Sequence, residues 1–270
     1  MVMLYSECFM EDLDRFESSE NFVAQQKIDG DNFKMIVDSG SITLINRHEN
    51  DYTRQFPEIV KNVKLNCNCV LNGELAYWNE EKQIYDFNLF RGRQGLQNNK
   101  KIQTRSRLYP VKFYVFDIIE YEGVNMVDNP EYPFKVRMEL LQTLITKDNF
   151  IRLVPIRKDL KQFFKEECEK NREGIVVKSL SNIYSNCRTK TIMKCKNWNL
   201  THIQFEKFED NKAGITCENE QGDRVLVAGK NAELVRAMII QNGYVNLKIR
   251  HLQDRTENNR LREPTYKGVV

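Results

Sequence analysis

A chain of 270 residues, 41% hydrophobic and 29% charged, can bury one large domain or a large and a small one. Its 41 Lys and Arg against 38 Asp and Glu leave a formal charge of only +3, so bulk charge does not by itself point to nucleic acid. No apolar run nears the ~20 residues of a membrane span, and Met1 to Glu20 is charged throughout, unlike a signal peptide. Seven cysteines without a C-x-x-C pair (Cys67 and Cys69 form C-x-C) and three histidines argue against structural zinc. Free thiols in a soluble, cytoplasmic protein are the expectation.

In chain order, Phe22-Val23-Ala24 reads as a short strand leading into Lys27-Ile28-Asp29-Gly30. Asp-Gly is a common turn dipeptide, so by itself this lysine marks a solvated turn. Phe33–Val37 and Ser41–Ile45 flank Asp38-Ser39-Gly40, a hairpin signal. Phe56–Val63 reads as a short helix, and Cys69-Val70-Leu71 as a strand entering Asn72-Gly73-Glu74-Leu75. The acid-free segment Arg91–Arg107, with Arg91, Arg93, Lys100, Lys101, Arg105 and Arg107, reads as a basic loop able to bind a phosphate backbone. Arg188–Lys196 is similar in character.

Val111–Ile119 is a buried strand by its nearly unbroken apolar run. Pro133–Thr146 and Lys158–Asn171 read as helices, and Gly174–Lys178 and Thr191–Lys194 as strands. Beyond Asn199 come short alternating strands at Ile203–Phe208, Ala213–Glu218 and Arg224–Val227, a helix at Ala232–Gln241 and a strand at Tyr244–Leu252. That make-up suits a small closed OB-like barrel. The expected fold is α+β: a domain over residues 1–199, with antiparallel sheets flanked by helices, then the barrel over 200–270.

Six blocks then resolve together: Lys27-Ile-Asp-Gly30, Ile45-Asn46-Arg47, Asn72-Gly73-Glu74-Leu75, Phe113-Tyr-Val-Phe-Asp117, Glu173-Gly-Ile-Val-Val-Lys178 and Ile192-Met-Lys-Cys-Lys196. In order and spacing they resemble the covalent nucleotidyltransferases: ATP-dependent DNA ligases, RNA ligases and mRNA capping enzymes. Arg47-His-Glu-Asn-Asp-Tyr-Thr-Arg-Gln-Phe-Pro57 resembles the DNA-ligase block Arg-x-Gly-x-Asp-Tyr-Thr-x-x-Phe-Pro. Tyr184-x-x-x-Arg188 and Leu261-Arg262-Glu263-Pro264-Thr265-Tyr266 resemble later ligase segments.

The resemblance implies that Lys27 is the nucleophile that carries AMP. It places Gln25, Ile28, Asn32, Arg47, Glu74, Phe116, Glu173, Lys178, Lys194 and Lys196 around the nucleotide. Phe116 would stack on adenine, Glu74 and Glu173 would hold Mg²⁺ or Mn²⁺, and Arg262 would orient the leaving pyrophosphate. Lys194 and Lys196 would stabilise the phosphoryl transition state. An ordinary lysine pKa near ~10.4 leaves the amine charged, so partial burial and neighbouring cations (Lys194, Lys196 and a bound metal) are expected to lower that of Lys27.

Two positions depart from the DNA-ligase pattern. Asn32 stands where KxDGxR has arginine, as in the KxxGxNF block of RNA ligases, and it lacks arginine's bidentate fork. Gln25 replaces a common Glu, although its carbonyl can still accept a bond from the adenine amino group. The reading is a minimal, monomeric ATP-dependent DNA ligase acting on nicked duplex DNA. It is expected to lack the helical DNA-binding domain and zinc finger of larger ligases and to grip DNA through Arg91, Arg93, Lys100, Lys101, Arg105 and Arg188. Alternatives are an RNA ligase acting on RNA-containing nicks, a GTP-dependent capping guanylyltransferase, and a catalytically silent nucleic-acid-binding module.

Overall fold

The computed structural model describes residues 3–270 except Lys147, Asp254 and Glu257, and only the backbone of Leu4. The chain divides into two compact units, Met1–Lys196 and Asn197–Val270. The first unit begins with β1 (Leu4–Cys8), α1 (Leu13–Glu17), β2 (Phe22–Gln26), β3 (Asp31–Asp38), β4 (Ser41–Asn46), α2 (Pro57–Asn62) and β5 (Cys69–Ala76). A small β6 (Trp78–Asn79) and β7 (Ile84–Tyr85) pair precedes α3 (Phe87–Gln94) and α4 (Asn99–Leu108). Then follow β8 (Lys112–Tyr121), β9 (Val124–Asn125), α5 (Phe134–Leu144), β10 (Ile151–Leu153), β11 (Ile156–Arg157), α6 (Leu160–Glu169), β12 (Gly174–Ser179) and β13 (Arg188–Lys196).

These strands build two main sheets, ordered β1-β13-β12-β2-β11 and β10-β8-β5-β3-β4, with β9 on β8. Pairing is antiparallel except for β1 with β13 and β10 with β8, which run parallel. The β3–β4 hairpin turns through Ser39 and Gly40, both at positive φ (49° and 79°), as a tight two-residue turn requires. Alternation along β3 sends Phe33, Met35 and Val37 into a core shared with Leu44, Leu71 and Phe113. The opposite face carries Asn32 and Lys34, opposed on β5 by Glu74 and Asn72. A polar face is thus laid across an otherwise apolar sheet.

The acid-free segment is not a loop. Asp86 accepts a bond from the Leu89 amide at 3.0 Å and Asn98 one from the Lys101 amide at 3.1 Å, capping α3 and α4. Phe90 and Ile102 give each helix a buried anchor. Arg93, expected to face nucleic acid, is 1% exposed. Its guanidinium forks onto both oxygens of Glu58, bonds the Gln55 carbonyl at 2.8 Å and the Tyr109 carbonyl at 3.0 Å, and lies over the Phe56 ring. Arg93 therefore ties α2 to α3 and to the segment after α4, and is withdrawn from the nucleic-acid surface.

The second unit holds β14 (Trp198–Phe205), β15 (Lys207–Asn211), β16 (Gly214–Glu218), β17 (Arg224–Ala228), α7 (Lys230–Asn242), β18 (Val245–Leu252) and β19 (Thr265–Val269). A domain boundary after Asn199 would fall inside β14. Phe205, Ile215, Val227, Val235, Leu247 and Ile249 form its core. Among the described residues the hydrogen bonds make two three-stranded sheets, β14-β18-β19 and β15-β16-β17, so the expected closed barrel is not closed by a continuous ladder. No helix of the described residues is long and apolar enough to cross a membrane.

Removing one partner of a buried ion pair leaves the other charge uncompensated. Arg93→Ala is therefore expected to cost about 3 kcal/mol in urea unfolding. A cost under about 1 kcal/mol, of the kind exposed charges show, would restore Arg93 to the surface.

Candidate active site

Three strand ends converge on one carboxylate. Because β12 runs antiparallel to both β2 and β13, its start lies beside their ends: Ile175 faces Gln26 and Gly174 faces Lys196. Lys27 follows β2 immediately and is tethered there by its amide, which donates to the Gly174 carbonyl at 2.9 Å. Glu173 immediately precedes β12. Gly174, at φ +125°, is obligatory, since a Cβ there would sit 2.1 Å from the Cys195 carbonyl oxygen. Gly30 is equally constrained, because its Cβ would lie 2.2 Å from the Leu75 carbonyl oxygen. The Asp-Gly that reads as a turn is a bend leading into β3, pressed against the end of β5.

Lys27 Nζ lies 2.8 Å from Glu173 Oε2, and Lys196 Nζ lies 3.2 Å from Glu173 Oε1. One nearly buried carboxylate thus bridges two lysines. Burial opposes the charge on Lys27, but the Glu173, Glu74 and Asp29 carboxylates outweigh it and hold the ammonium above its ordinary pKa. These carboxylates thus act against the expected lowering. Burial likewise opposes the charge on Glu173, and Lys27 and Lys196 together pull its pKa below the usual range. Glu74 has less support. Burial pushes it up to about 8, with Lys27 resisting and Glu173 adding to the rise.

Lys194 shares the Lys196 side of β13 and stands opposite Val176. Gln25, buried in β2, donates from Nε2 to the Val154 carbonyl at 2.7 Å, while its Oε1 is buried with no hydrogen-bond partner. Ile28 and Val154 belong to an apolar cluster against which Phe116 packs, half-buried. Lys178 was expected at the nucleotide. Its Nζ donates to the Phe116 carbonyl at 3.0 Å and sits over the Phe116 and Phe134 rings, so the side chain supports Phe116 from behind. Burial draws its pKa down to about 8. Asn32 donates to Asn72 Oδ1 at 2.9 Å and to the Gly73 carbonyl at 3.1 Å, and its own Oδ1 is buried without a partner.

The other sequence candidates of the first unit lie outside this cluster. Arg47 is exposed in the turn after β4, its Nε 3.2 Å from His48 Nε2. Arg188 donates to the Tyr5 carbonyl at 2.8 Å. Arg91, Lys100, Lys101 and Arg105 are exposed on α3 and α4. Arg262 belongs to the second unit, where its carbonyl accepts from the Leu252 amide at 3.0 Å. Sequence reasoning missed the role of Asp117, whose two oxygens bind Arg137 at 2.7 and 3.0 Å deep in the core. Asp117 closes one of the six blocks, a signal that could have pointed to it.

The profile described as "ATP dependent DNA ligase domain" matches residues 3–196. The chain belongs to the ATP-dependent DNA ligase family. DNA ligase 1 of Methanosarcina mazei is 29% identical over 170 residues, covering 58% of this chain and 29% of that protein. The chain thus spans less than a third of that relative's length. The ligase domain of M. tuberculosis LigD shares the fold at TM-score 0.60 and 17% identity, over 100% of this chain and 94% of that one. The ATP complex of the bacteriophage T7 ATP-dependent DNA ligase does so at TM-score 0.52 and 16% identity, over 100% and 98%.

Glu74 supplies a pH test of this ligase-family site. A carboxyl raised from 4.5 to about 8 by folding favours the native state below about pH 4.5, and that contribution is lost as pH rises to about 8. Glu74→Gln should therefore stabilise the protein relative to wild type more at about pH 9 than at about pH 5, measured by urea unfolding. An equal difference at both pH values would show that Glu74 ionises normally.

Proposed function

We propose that this chain is an ATP-dependent ligase that seals 3′-hydroxyl/5′-phosphate nicks in duplex DNA through AMP carried on Lys27. The observation that carries this reading is the Glu173 carboxylate shared by Lys27 and Lys196, with the half-buried Glu74 nearby. A lysine, a carboxylate that orients it and a second cation are what nucleophilic attack on a phosphate uses here.

In the first step Lys27 Nζ attacks the α-phosphate of ATP. A P–N bond forms as the bond to pyrophosphate breaks, and the amine gives up a proton. That proton leaves to solvent, and Glu173 Oε2, 2.8 Å away, orients the amine for attack. Lys194 and Lys196 bring positive charge, which favours neutral Lys27 and stabilises the spread negative charge of the transition state. Arg262, from the second unit, is assigned the leaving pyrophosphate. AMP then passes to the 5′-phosphate of the nick, breaking the P–N bond and forming a pyrophosphate linkage. Attack by the 3′-hydroxyl completes the phosphodiester bond and releases AMP.

The site residues fit a divalent cation. Among the described residues no three metal-binding side chains cluster, and Mg²⁺ characteristically takes one or two carboxylates with water and phosphate. Glu74, whose charge burial disfavours, gains from an added cation. Glu74 and Glu173 would hold Mg²⁺ or Mn²⁺, which when bound supplies further positive charge against the reacting phosphate.

Adenine is selected by the unpartnered Gln25 Oε1, which accepts from an amino group and repels the carbonyl that guanine offers there. Phe116, with Ile28, provides the apolar slot. The exposed Arg91, Lys100, Lys101 and Arg105 suit a duplex backbone, with Arg188 and Arg47 as further contacts. The acting species is taken as a monomer in the cytoplasm, where its free cysteines stay reduced. One observation favours RNA-containing nicks as a second reading: Asn32 keeps a buried, unpartnered acceptor that a ribose hydroxyl could fill.

The decisive experiment incubates the protein with α-labelled ATP or GTP and Mg²⁺, then offers DNA–DNA, RNA–DNA and RNA–RNA nicks. Label from ATP alone, lost in Lys27→Ala, followed by sealing of DNA nicks, is expected. Absence of label would leave a silent binding module, label from GTP a capping-type enzyme, and sealing of RNA nicks alone an RNA ligase.

A further inference from the structure

Glu167 is a charged residue in an apolar row. It follows Phe163 by four residues and Phe164 by three on α6, so all three share the buried face of that helix. The two phenylalanines cluster with Ala24 of β2 and with Ile175 and Val177 of β12. At 2% exposure a carboxylate in such a place is costly unless opposite charge and hydrogen bonds compensate it.

Both of its oxygens are used, and both lead to the candidate active site. Oε2 accepts from Gln26 Nε2 at 2.7 Å, and Oε1 accepts from Arg172 Nη1 at 3.1 Å. Gln26 is the residue before Lys27, and Arg172 is the residue before Glu173. The Arg172 amide also donates to the Glu167 carbonyl at 2.9 Å, fixing the chain where α6 gives way to β12. The same links close a ring. The Tyr85 hydroxyl donates to Gln26 Oε1 at 3.3 Å, Tyr85 packs against Trp78 with ring centroids 5.0 Å apart, and the Arg172 guanidinium lies over the Trp78 ring at 5.3 Å. Tyr85 and Trp78 share the apolar cluster of Ile28 and Phe116, so the ring also reaches the proposed adenine slot.

We propose that Glu167 is a positioning residue for the first step, in which the bond from Lys27 Nζ to phosphorus forms as pyrophosphate leaves. By gripping Gln26 and Arg172 together it sets the approach of the Glu173 carboxylate to the Lys27 amine. The proposal rests on the reading of Lys27 as the AMP-carrying nucleophile. Strand pairing fixes Gln26 opposite Ile175 but leaves Glu173, which precedes β12, outside the ladder. Glu167 supplies a side-chain link across that gap. The link matters because a misplacement of ~1 Å at a reacting group can cost about a hundredfold in rate.

The test separates AMP uptake from the later steps, using the full chain. At saturating ATP with Mg²⁺, Glu167→Ala should slow single-turnover labelling of Lys27 by at least about tenfold, while its equilibrium affinity for ATP without metal stays within about twofold of wild type. Sealing of nicks that already carry 5′-AMP, which forms no bond to Lys27, should keep the wild-type rate. Glu167→Gln, whose carbonyl still accepts one of the two bonds, should lose less. An unchanged labelling rate in folded Glu167→Ala would overturn the proposal, as would an equal loss in labelling and in sealing of adenylylated nicks. Should Glu167→Ala fail to fold, Gln26→Leu removes the same link at similar size, and an unchanged labelling rate there would overturn the proposal alone. Failure of wild type to take up any AMP would instead defeat the reading of Lys27, a separate outcome in the same preparation.

Discussion

The site depends on one carboxylate held between two ammonium groups. Glu173 is buried, and a buried carboxylate is costly unless opposite charge and hydrogen bonds compensate it. Lys27 and Lys196 provide both, at 2.8 and 3.2 Å. The three residues are far apart in sequence but occupy adjacent ends of β2, β12 and β13, so sheet register alone brings them together. Gly174 makes the arrangement possible by letting β12 begin against the Cys195 carbonyl. The same clamp holds the Lys27 ammonium above its ordinary pKa.

Behind that clamp the protein uses arginine as interior mortar. Arg93 joins α2 and α3 through Glu58, while Arg137 joins α5 to β8 through Asp117 and to the segment after β12 through the Asn182 carbonyl. Arg137 has both its charge and its hydrogen-bond directions satisfied, which lets a planar cation sit in a core, whereas Arg93 leaves its buried Nε without a partner. Lys178 plays a related part under Phe116, with its ammonium against a carbonyl and two aromatic rings. The proposed adenine platform thus rests on a polar support.

Much of this was legible in the sequence because the chemistry is concentrated in short blocks. Lys27, Glu173 and Lys196 were identified from such blocks, and the structure brings them together. Gly30 and Gly174 were legible only as members of those blocks, since the clash that demands each depends on a distant strand. Arg93 misled because its partner Glu58 lies 35 residues away, and nothing local distinguishes a buried arginine from its exposed neighbour Arg91. The protonation of Lys27 was misjudged for a related reason. Counting Lys194 and Lys196 as its neighbours omitted the nearer Glu173, which reverses the sign of the shift. The α3–α4 pair was missed because its caps, Asp86 and Asn98, read equally well as turn residues.

The most direct measurement is the titration of the Lys27 ammonium by nuclear magnetic resonance in ligand-free wild type and in Glu173→Gln. The account expects wild-type Lys27 to stay protonated beyond the ordinary lysine value of 10.5, and its pKa to fall when Glu173 loses its charge. Titration of wild-type Lys27 below that value, or no change in Glu173→Gln, would contradict the claim that this carboxylate governs the charge on Lys27.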